Sequence, residues 1–129
     1  MECRLSLSSG PWSCKVSIRW EFGEDGKRMD EVFEEAFGSR ITEKTQVELR
    51  IRQAQAAILN PGVIDRGCFL RMAEDQIRNG VVGTKALSFS RNVVCVDLEG
   101  PHLTDLSFID LPGSLCTHFL SNDRAHTYV

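Results

Sequence analysis

The stretch Asn92–Gly113 constrains the fold of this chain more than any other part of the sequence. It contains two apolar runs of strand length, Val93–Leu98 and Leu106–Ile109, and a Glu-Gly-Pro turn cluster separates them. Short apolar runs rich in β-branched residues and bounded by turn residues are typical of buried strands. The stretch therefore predicts a pair of strands in a sheet.

The second run ends in an Asp-Leu-Pro-Gly tetrapeptide, Asp110 to Gly113. A strand that ends this way delivers a carboxylate to the carboxyl edge of the sheet, where open α/β sheets bind ligands. Gly113 offers a backbone N–H with no Cβ in the way. An acid for a magnesium shell and a donor for a terminal phosphate are what one wall of a nucleoside triphosphate pocket requires. Taken alone, the four residues favour a plain turn at the end of a strand.

A longer segment of the sequence resembles a known protein family. Leu103–Gly113, preceded by Val96–Pro101, resembles the Asp-Leu-Pro-Gly segment of dynamin-superfamily large GTPases, and it is closer to the myxovirus-resistance-like and fungal dynamin-like members than to small GTPases. The resemblance implies an α/β fold: an incomplete P-loop GTPase-like domain with a mixed sheet and one long helix. It also implies GTP and Mg²⁺ as cofactors, with Asp110 and Gly113 contacting the nucleotide and Asp110 serving the metal.

The resemblance covers residues 1–113, and the tail 114–129 does not match it. Met1–Leu7 resembles the segment that immediately follows the switch threonine of the family. The chain contains no Gly-x-x-x-x-Gly-Lys-Ser P-loop and no guanine-reading Thr-Lys-x-Asp sequence, so we expect these 129 residues alone not to hydrolyse GTP. The abrupt loss of pattern after Gly113 suggests the hypothesis of a truncated or misread frame.

Upstream, three further segments predict strands. Cys3–Ser8 alternates apolar and polar residues, and Cys14–Phe22 alternates more cleanly, which predicts one buried and one polar face. Lys27–Phe37 predicts a further short extended piece that ends at Gly38.

Helical spacing begins after Thr42, which is a candidate N-cap. Val47, Ile51, Ala54 and Ile58 recur at helical intervals up to an Asn-Pro-Gly stop, so we expect a helix over residues 43–59. The polar residues of this helix are interpreted as solvated surface: Glu48, Arg50, Arg52 and Gln53. A second helix is predicted over residues 69–78, followed by a connection over 81–90.

Composition narrows the functional classes. A net charge of −3 and a pI near 5.6 provide no basic field for nucleic acid. The apolar runs are too short to span a bilayer, and the first residues do not have the pattern of a signal peptide. We therefore expect a cytoplasmic protein. The five cysteines lack a Cys-x-x-Cys pair, which favours reduced thiols. The three histidines lack partners at useful spacing for catalysis or metal binding.

Two functions remain open at this level. One is a fragment of a dynamin-like GTPase domain, for which the resemblance implies GTP binding, self-assembly and partners at a membrane or the cytoskeleton. The alternative is a non-catalytic α/β protein-interaction module. In either case Leu106–Ile109 has the composition of a central strand without blocking Lys, Pro or Gly residues, so we expect an unpaired edge there to promote self-association.

Overall fold

The computed structural model describes residues 1–23, 25–63, 65–78 and 90–109. Five strands form one sheet: β1 (Glu2–Leu7), β2 (Ser13–Phe22), β3 (Arg28–Ala36), β4 (Val93–Gly100) and β5 (Leu106–Ile109). The helices are α1 (Val47–Leu59), which follows a 3₁₀ turn over Lys44–Gln46, and the short α2 (Gly67–Leu70) and α3 (Glu74–Arg78). All three segments predicted as strands upstream of the helix are strands, within about two residues at each end.

The strand order across the sheet is β3-β2-β4-β1-β5. β1 runs parallel to β4, whereas the pairs β1–β5, β2–β3 and β2–β4 are antiparallel. The expected α/β class with a mixed sheet is confirmed. The described core lies between the sheet and α1, which packs on β2 and β4.

The expected pairing of the two downstream strands with each other is wrong, because β1 lies between β4 and β5. Glu2 to Leu7 run in parallel register with Cys95 to Gly100, and the backbone N–H of Ser8 donates to Gly100 O at 3.0 Å. With that edge of β4 occupied, the chain turns after Gly100 and adds β5 to the outer edge of β1. The Glu-Gly-Pro cluster predicts the turn that follows Gly100, but turn residues do not specify which edge of the sheet the next strand joins.

β2 has the two-faced character that its alternation predicts. Four apolar side chains are buried on the face toward α1: Cys14, Val16, Ile18 and Trp20. On the opposite face, Lys15 is exposed but Ser17 is only 2% exposed. Ser17 is therefore buried although it lies on the polar face of the sheet.

The long helix forms because its apolar residues lie on one stripe, and Val47, Ile51, Ala54 and Ile58 are all buried. Its start differs from the expectation at Thr42. Glu43 occupies the N-cap position of the preceding 3₁₀ turn, and no side-chain cap hydrogen bond is made there or at the start of α1. The helix ends as predicted, and the side-chain amide of Asn60 donates to Ala56 O at 2.8 Å.

Two residues expected to be solvated surface on α1 have structural contacts. Gln53 is 4% exposed, and its side-chain amide donates to Leu70 O and Met72 O at 3.4 and 2.9 Å. Arg50 donates to Phe37 O and Ser39 O, on either side of Gly38, at 3.2 and 2.9 Å. The helix therefore holds two loops through polar side chains as well as through its apolar stripe.

The second predicted helix is divided. α2 and α3 are separated by Arg71–Ala73, and the carbonyl groups that Gln53 binds lie at this break. A continuous helix would use the Leu70 carbonyl for its own hydrogen bond. Most of the predicted connection over 81–90 lies outside the described residues. In the part of the chain that the structure describes, no helix is long and apolar enough to cross a membrane.

Candidate functional site

The site residues predicted from the sequence come immediately after the end of β5 in the chain. β5 ends at Ile109, and both Asp110 and Gly113 lie outside the described residues. What the structure does describe is the strand that leads to them. In the antiparallel pair β1–β5, Ile109 lies opposite Glu2.

β5 is also attached at its other end. Leu106 lies opposite Leu5, and the backbone N–H of Leu7 donates to Asp105 Oδ1 at 2.8 Å. The register of β5 is thus supported by four paired positions and by one side-chain contact just before the strand begins. Because a shift of one residue would move the alternating side chains to the other face of the sheet, this attachment determines where the chain leaves the sheet at Ile109.

An ion pair organises the sheet at the same end. Glu2 accepts a hydrogen bond from Nη2 of Arg19 at 2.6 Å, and both side chains are largely buried. Glu2 also lies in register with Cys95 of β4. The start of β1 is therefore attached to β2 and β4 on one side and to the end of β5 on the other.

This ion pair belongs to a larger group, which we call the strand-face network. It consists of residues from β1 to β4 on the face of the sheet opposite α1: Glu2, Arg4, Ser17, Arg19, Glu34, Cys95 and Asp97.

Arg4 is the centre of the strand-face network. Its Nε and Nη2 donate to the two carboxylate oxygens of Asp97 at 2.5 and 2.9 Å, and Nη2 also contacts Glu34 Oε1 at 2.9 Å. Ser17 Oγ donates to the same oxygen of Glu34 at 2.7 Å. One arginine and one serine thus join the carboxylates of β4 and β3 across the width of the sheet.

The electrostatics of the strand-face network favour a structural role. The Ser17 hydrogen bond, together with Arg4, lowers the pKa of Glu34, so this carboxylate stays ionised. Burial raises the pKa of the Cys95 thiol to about 11, and the nearby Glu34 acts in the same direction. A protonated, buried thiol is a poor nucleophile. The network can therefore hold strands together, and it provides no activated thiol.

Sequence reasoning missed this network, although a signal was present. Arg4, Arg19 and Asp97 occupy polar positions of strands that alternate with apolar residues. Alternation places such residues on one face of their own strand, but the pairing of the strands decides which of them meet.

Within residues 1–23, 25–63, 65–78 and 90–109, no group of three or more His, Cys, Asp or Glu side chains is arranged to hold a metal ion. His102 is exposed in the turn after β4, and Trp20 is buried in the core. His118, His126 and Cys116 lie outside the described residues.

The chain was compared with protein-family models, with curated proteins and with solved structures, and none of these matches it.

Proposed function

We propose that the chain contributes one wall of the nucleotide site of a dynamin-like GTPase domain, at the end of the sheet where β5 stops. The observation that carries this proposal is the pairing of Glu2 with Ile109. Met1–Leu7 resembles the segment that follows the switch threonine, and Ile109 immediately precedes Asp110. The antiparallel register brings the start of the first family-like segment and the end of the strand that leads to Asp110 to the same end of the sheet.

That coincidence supports the proposal because the two segments serve one ion in the family. In that family the switch threonine and the aspartate of Asp-x-x-Gly both serve the magnesium site. A strand pair in the opposite register, or with β5 elsewhere in the sheet, would separate them. The Glu2–Arg19 ion pair, which attaches the start of β1 to β2, maintains the geometry at this end.

The roles of the site residues follow from their chemistry. A carboxylate oxygen is a ligand type that magnesium prefers, directly or through water, which fits Asp110. When bound, magnesium would neutralise charge that develops on the phosphates as water attacks the terminal phosphate. Gly113 would donate its backbone N–H to the terminal phosphate. The chain has no P-loop lysine, so these 129 residues alone are expected not to hydrolyse GTP.

Restoring the missing part tests the proposal. A strand, P-loop and helix from a dynamin-like GTPase, fused ahead of Met1, is expected to bind a fluorescent GTP analogue when magnesium is present. Asp110→Ala in the fusion is expected to weaken binding in magnesium but not after chelation. Asp30→Ala, which removes an exposed carboxylate on β3 at the far edge of the sheet, is the matched control and is expected to have no effect.

Two results would contradict the proposal. A folded fusion that binds no nucleotide would exclude the site, and equal weakening by Asp110→Ala with and without magnesium would exclude the metal role. In the unfused chain, GTP turnover that disappears with Asp110→Ala would contradict the expected inactivity.

The second candidate function is a non-catalytic α/β interaction module. The observation that favours it is the exposed outer strand β3, which carries Val32 and Phe33 at its surface. A nucleotide titration of the fusion separates the two functions, because an interaction module requires no GTP binding.

A further inference from the structure

β5 depends on β1 for its place in the sheet. It has four residues, it lies at the end of the strand order, and among the described residues it pairs with β1 alone. The last pair of this ladder, toward the candidate site, is Glu2 opposite Ile109. A contact that fixes Glu2 therefore also fixes the point at which the chain leaves the sheet toward Asp110.

Glu2 is held by a residue two strands away. Its carboxylate accepts a hydrogen bond from Nη2 of Arg19 at 2.6 Å, and the Glu2 side chain is 14% exposed and that of Arg19 25%. Arg19 belongs to β2, and β4 lies between β2 and β1. The arginine side chain therefore spans β4, where Val93 lies opposite Arg19 in the β2–β4 ladder. This contact links β1 directly to β2, which the backbone ladders do not do.

The strand that carries Arg19 is held on both sides. β2 pairs with β3 along one edge and with β4 along the other. Just beyond Arg19, the side chain of Asn92 accepts hydrogen bonds from the backbone N–H groups of Glu21 and Phe22, both at 2.8 Å, and donates to Phe22 O at 3.1 Å. Asn92 is only 7% exposed, so loss of these bonds would leave a buried amide unpaired. Asn92 therefore attaches the end of β2 to the residue that precedes β4.

The charges of the pair make the position of Glu2 sensitive to Arg19. The hydrogen bond to Glu2 raises the pKa of Arg19 despite partial burial. Charge-assisted hydrogen bonds are shorter and stronger than neutral ones. Removal of the guanidinium would leave a largely buried carboxylate without its cation, which is unfavourable. We therefore expect Glu2 to move toward solvent when Arg19 is replaced.

Among the residues of the candidate site, Asp110 depends most directly on this contact. Asp110 is one residue beyond Ile109 in the chain, whereas Gly113 is four residues beyond it. A group that binds a ligand has to be held within about 0.5 Å of its working position by the residues that support it. A displacement of Ile109 therefore acts first on the carboxylate that would serve magnesium.

We propose that Arg19 is a positioning residue for the nucleotide site: through Glu2 it holds the end of β5, and thereby Asp110, where magnesium is bound. This inference rests on the proposed function. It goes further by assigning the magnesium-dependent part of nucleotide binding to a side chain on β2, which β4 and β1 separate from β5.

Hydrogen exchange of the 129-residue chain tests the contact itself. Arg19→Met keeps an unbranched side chain but removes the guanidinium, and we expect the amides at the start of β1 to exchange about fivefold faster. The matched control is Arg66→Met, which removes the ion pair of Arg66 Nη1 with Glu35 Oε1 at 3.0 Å. That pair involves β3 and not β1, so exchange at the start of β1 is expected to stay within about twofold of the original.

The fusion that carries a P-loop ahead of Met1 tests the consequence for the site. Arg19→Met in the fusion is expected to weaken binding of the fluorescent GTP analogue about fivefold in magnesium and less than about twofold after chelation. Arg66→Met is expected to leave both affinities within about twofold of the original. Glu2→Gln is expected to act in the same direction as Arg19→Met. The double variant is expected to be no weaker than the weaker single variant, because both substitutions remove one interaction.

Four outcomes would overturn this inference while leaving the proposed function intact. They are unchanged exchange at the start of β1 in Arg19→Met, unchanged magnesium-dependent binding in the same variant, equal weakening by Arg19→Met and Arg66→Met, and additive effects of Glu2→Gln and Arg19→Met. Equal weakening would indicate a general loss of stability, and additivity would show that the two residues act independently.

Failure of the proposed function gives a different result. A folded fusion with the original residues that binds no nucleotide, or whose binding in magnesium does not require Asp110, would contradict the nucleotide site and the positioning role of Arg19 together. Because this control contains no substitution at Glu2 or Arg19, the two failures are distinguishable.

Discussion

Arg4 on β1 and Asp97 on β4 lie opposite each other in parallel register and share two hydrogen bonds, Nε to Oδ1 at 2.5 Å and Nη2 to Oδ2 at 2.9 Å. Both side chains are about one-third exposed. The two hydrogen bonds fix the orientation of the guanidinium relative to the carboxylate, which a single hydrogen bond would not do. The contact raises the pKa of Arg4. Glu34 also raises this pKa, whereas partial burial lowers it.

The Arg4–Asp97 contact is expected to stabilise the fold modestly. Asp97→Asn keeps the shape but removes the charge, and because the pair is partly solvated we expect a loss of about 1 kcal/mol in the free energy of unfolding. Urea unfolding measures it. Asp75→Asn, at an exposed carboxylate in the first turn of α3, is the control and is expected to change stability by less than about 0.5 kcal/mol. Equal effects of the two substitutions would show that the contact adds nothing.

Glu34 makes the stability of the fold dependent on pH. The hydrogen bond from Ser17 and the contact with Arg4 lower its folded-state pKa below the unfolded value. The resulting stability is present above the ordinary glutamate pKa of about 4.3 and is lost as pH falls through the lowered folded value. Ser17→Ala is therefore expected to unfold with a shallower dependence on pH below about 4.3 than the original chain. Parallel stability curves for the two proteins would contradict this assignment.

Gly38 and Gly26 form a matched pair for measuring a steric contact. Both have φ of +80°, but a Cβ at Gly38 would overlap the guanidinium of Arg50, whereas a Cβ at Gly26 would meet nothing within 4 Å. Gly26→Ala is expected to cost about 1 kcal/mol from backbone strain alone. Gly38→Ala is expected to cost about 1 kcal/mol more, because Arg50 loses its hydrogen bonds to Phe37 O and Ser39 O. Equal losses in thermal unfolding would show that Arg50 can move away without cost.

Cys95 is expected to resist alkylation in the folded protein. It is fully buried and its pKa is raised to about 11, first by burial and then by Glu34, so the thiolate is scarce at pH 8. Cys68 is partly exposed and is expected to react first. Iodoacetamide labelling followed by peptide mass mapping measures both rates, and labelling in urea is the control in which the difference disappears. Comparable rates in the folded chain would refute the burial argument.

β5 is expected to mediate self-association, in contrast to β3. β5 is the other edge of the sheet, and Leu106 is 49% exposed. Leu106→Lys is expected to reduce association in sedimentation velocity, because lysine on an edge strand opposes strand pairing. Val32→Lys is the matched control, since Val32 has similar exposure on an edge already protected by carboxylates, and we expect it to change association little. A monomer at high concentration, with the amides of Leu106–Ile109 among the most protected from exchange, would contradict the prediction.

Much of the fold could be predicted because the signals are local. The alternation of β2 and the helical stripe of α1 each identify an element and its buried face from neighbouring residues. The Asn-Pro-Gly sequence likewise predicts the end of α1 at Leu59, and the Glu-Gly-Pro sequence predicts the turn after Gly100. For the candidate site, the structure confirms the strand that ends at Ile109 and leads to Asp110, whereas Asp110 and Gly113 lie outside the described residues and their roles stay predictions.

What the sequence determined by itself is the type, length and buried face of most elements, since propensity, side-chain period and turn residues act over a few positions. Only the tertiary structure decided that β1 separates β4 from β5, that Glu2 lies opposite Ile109, and that Arg4 meets Asp97. These contacts join residues about 90 or more positions apart, and their register depends on the packing of whole strands. Gln53 shows the same limit on a helix: its polar side chain predicted a solvated position, and carbonyl groups from a later segment made burial favourable.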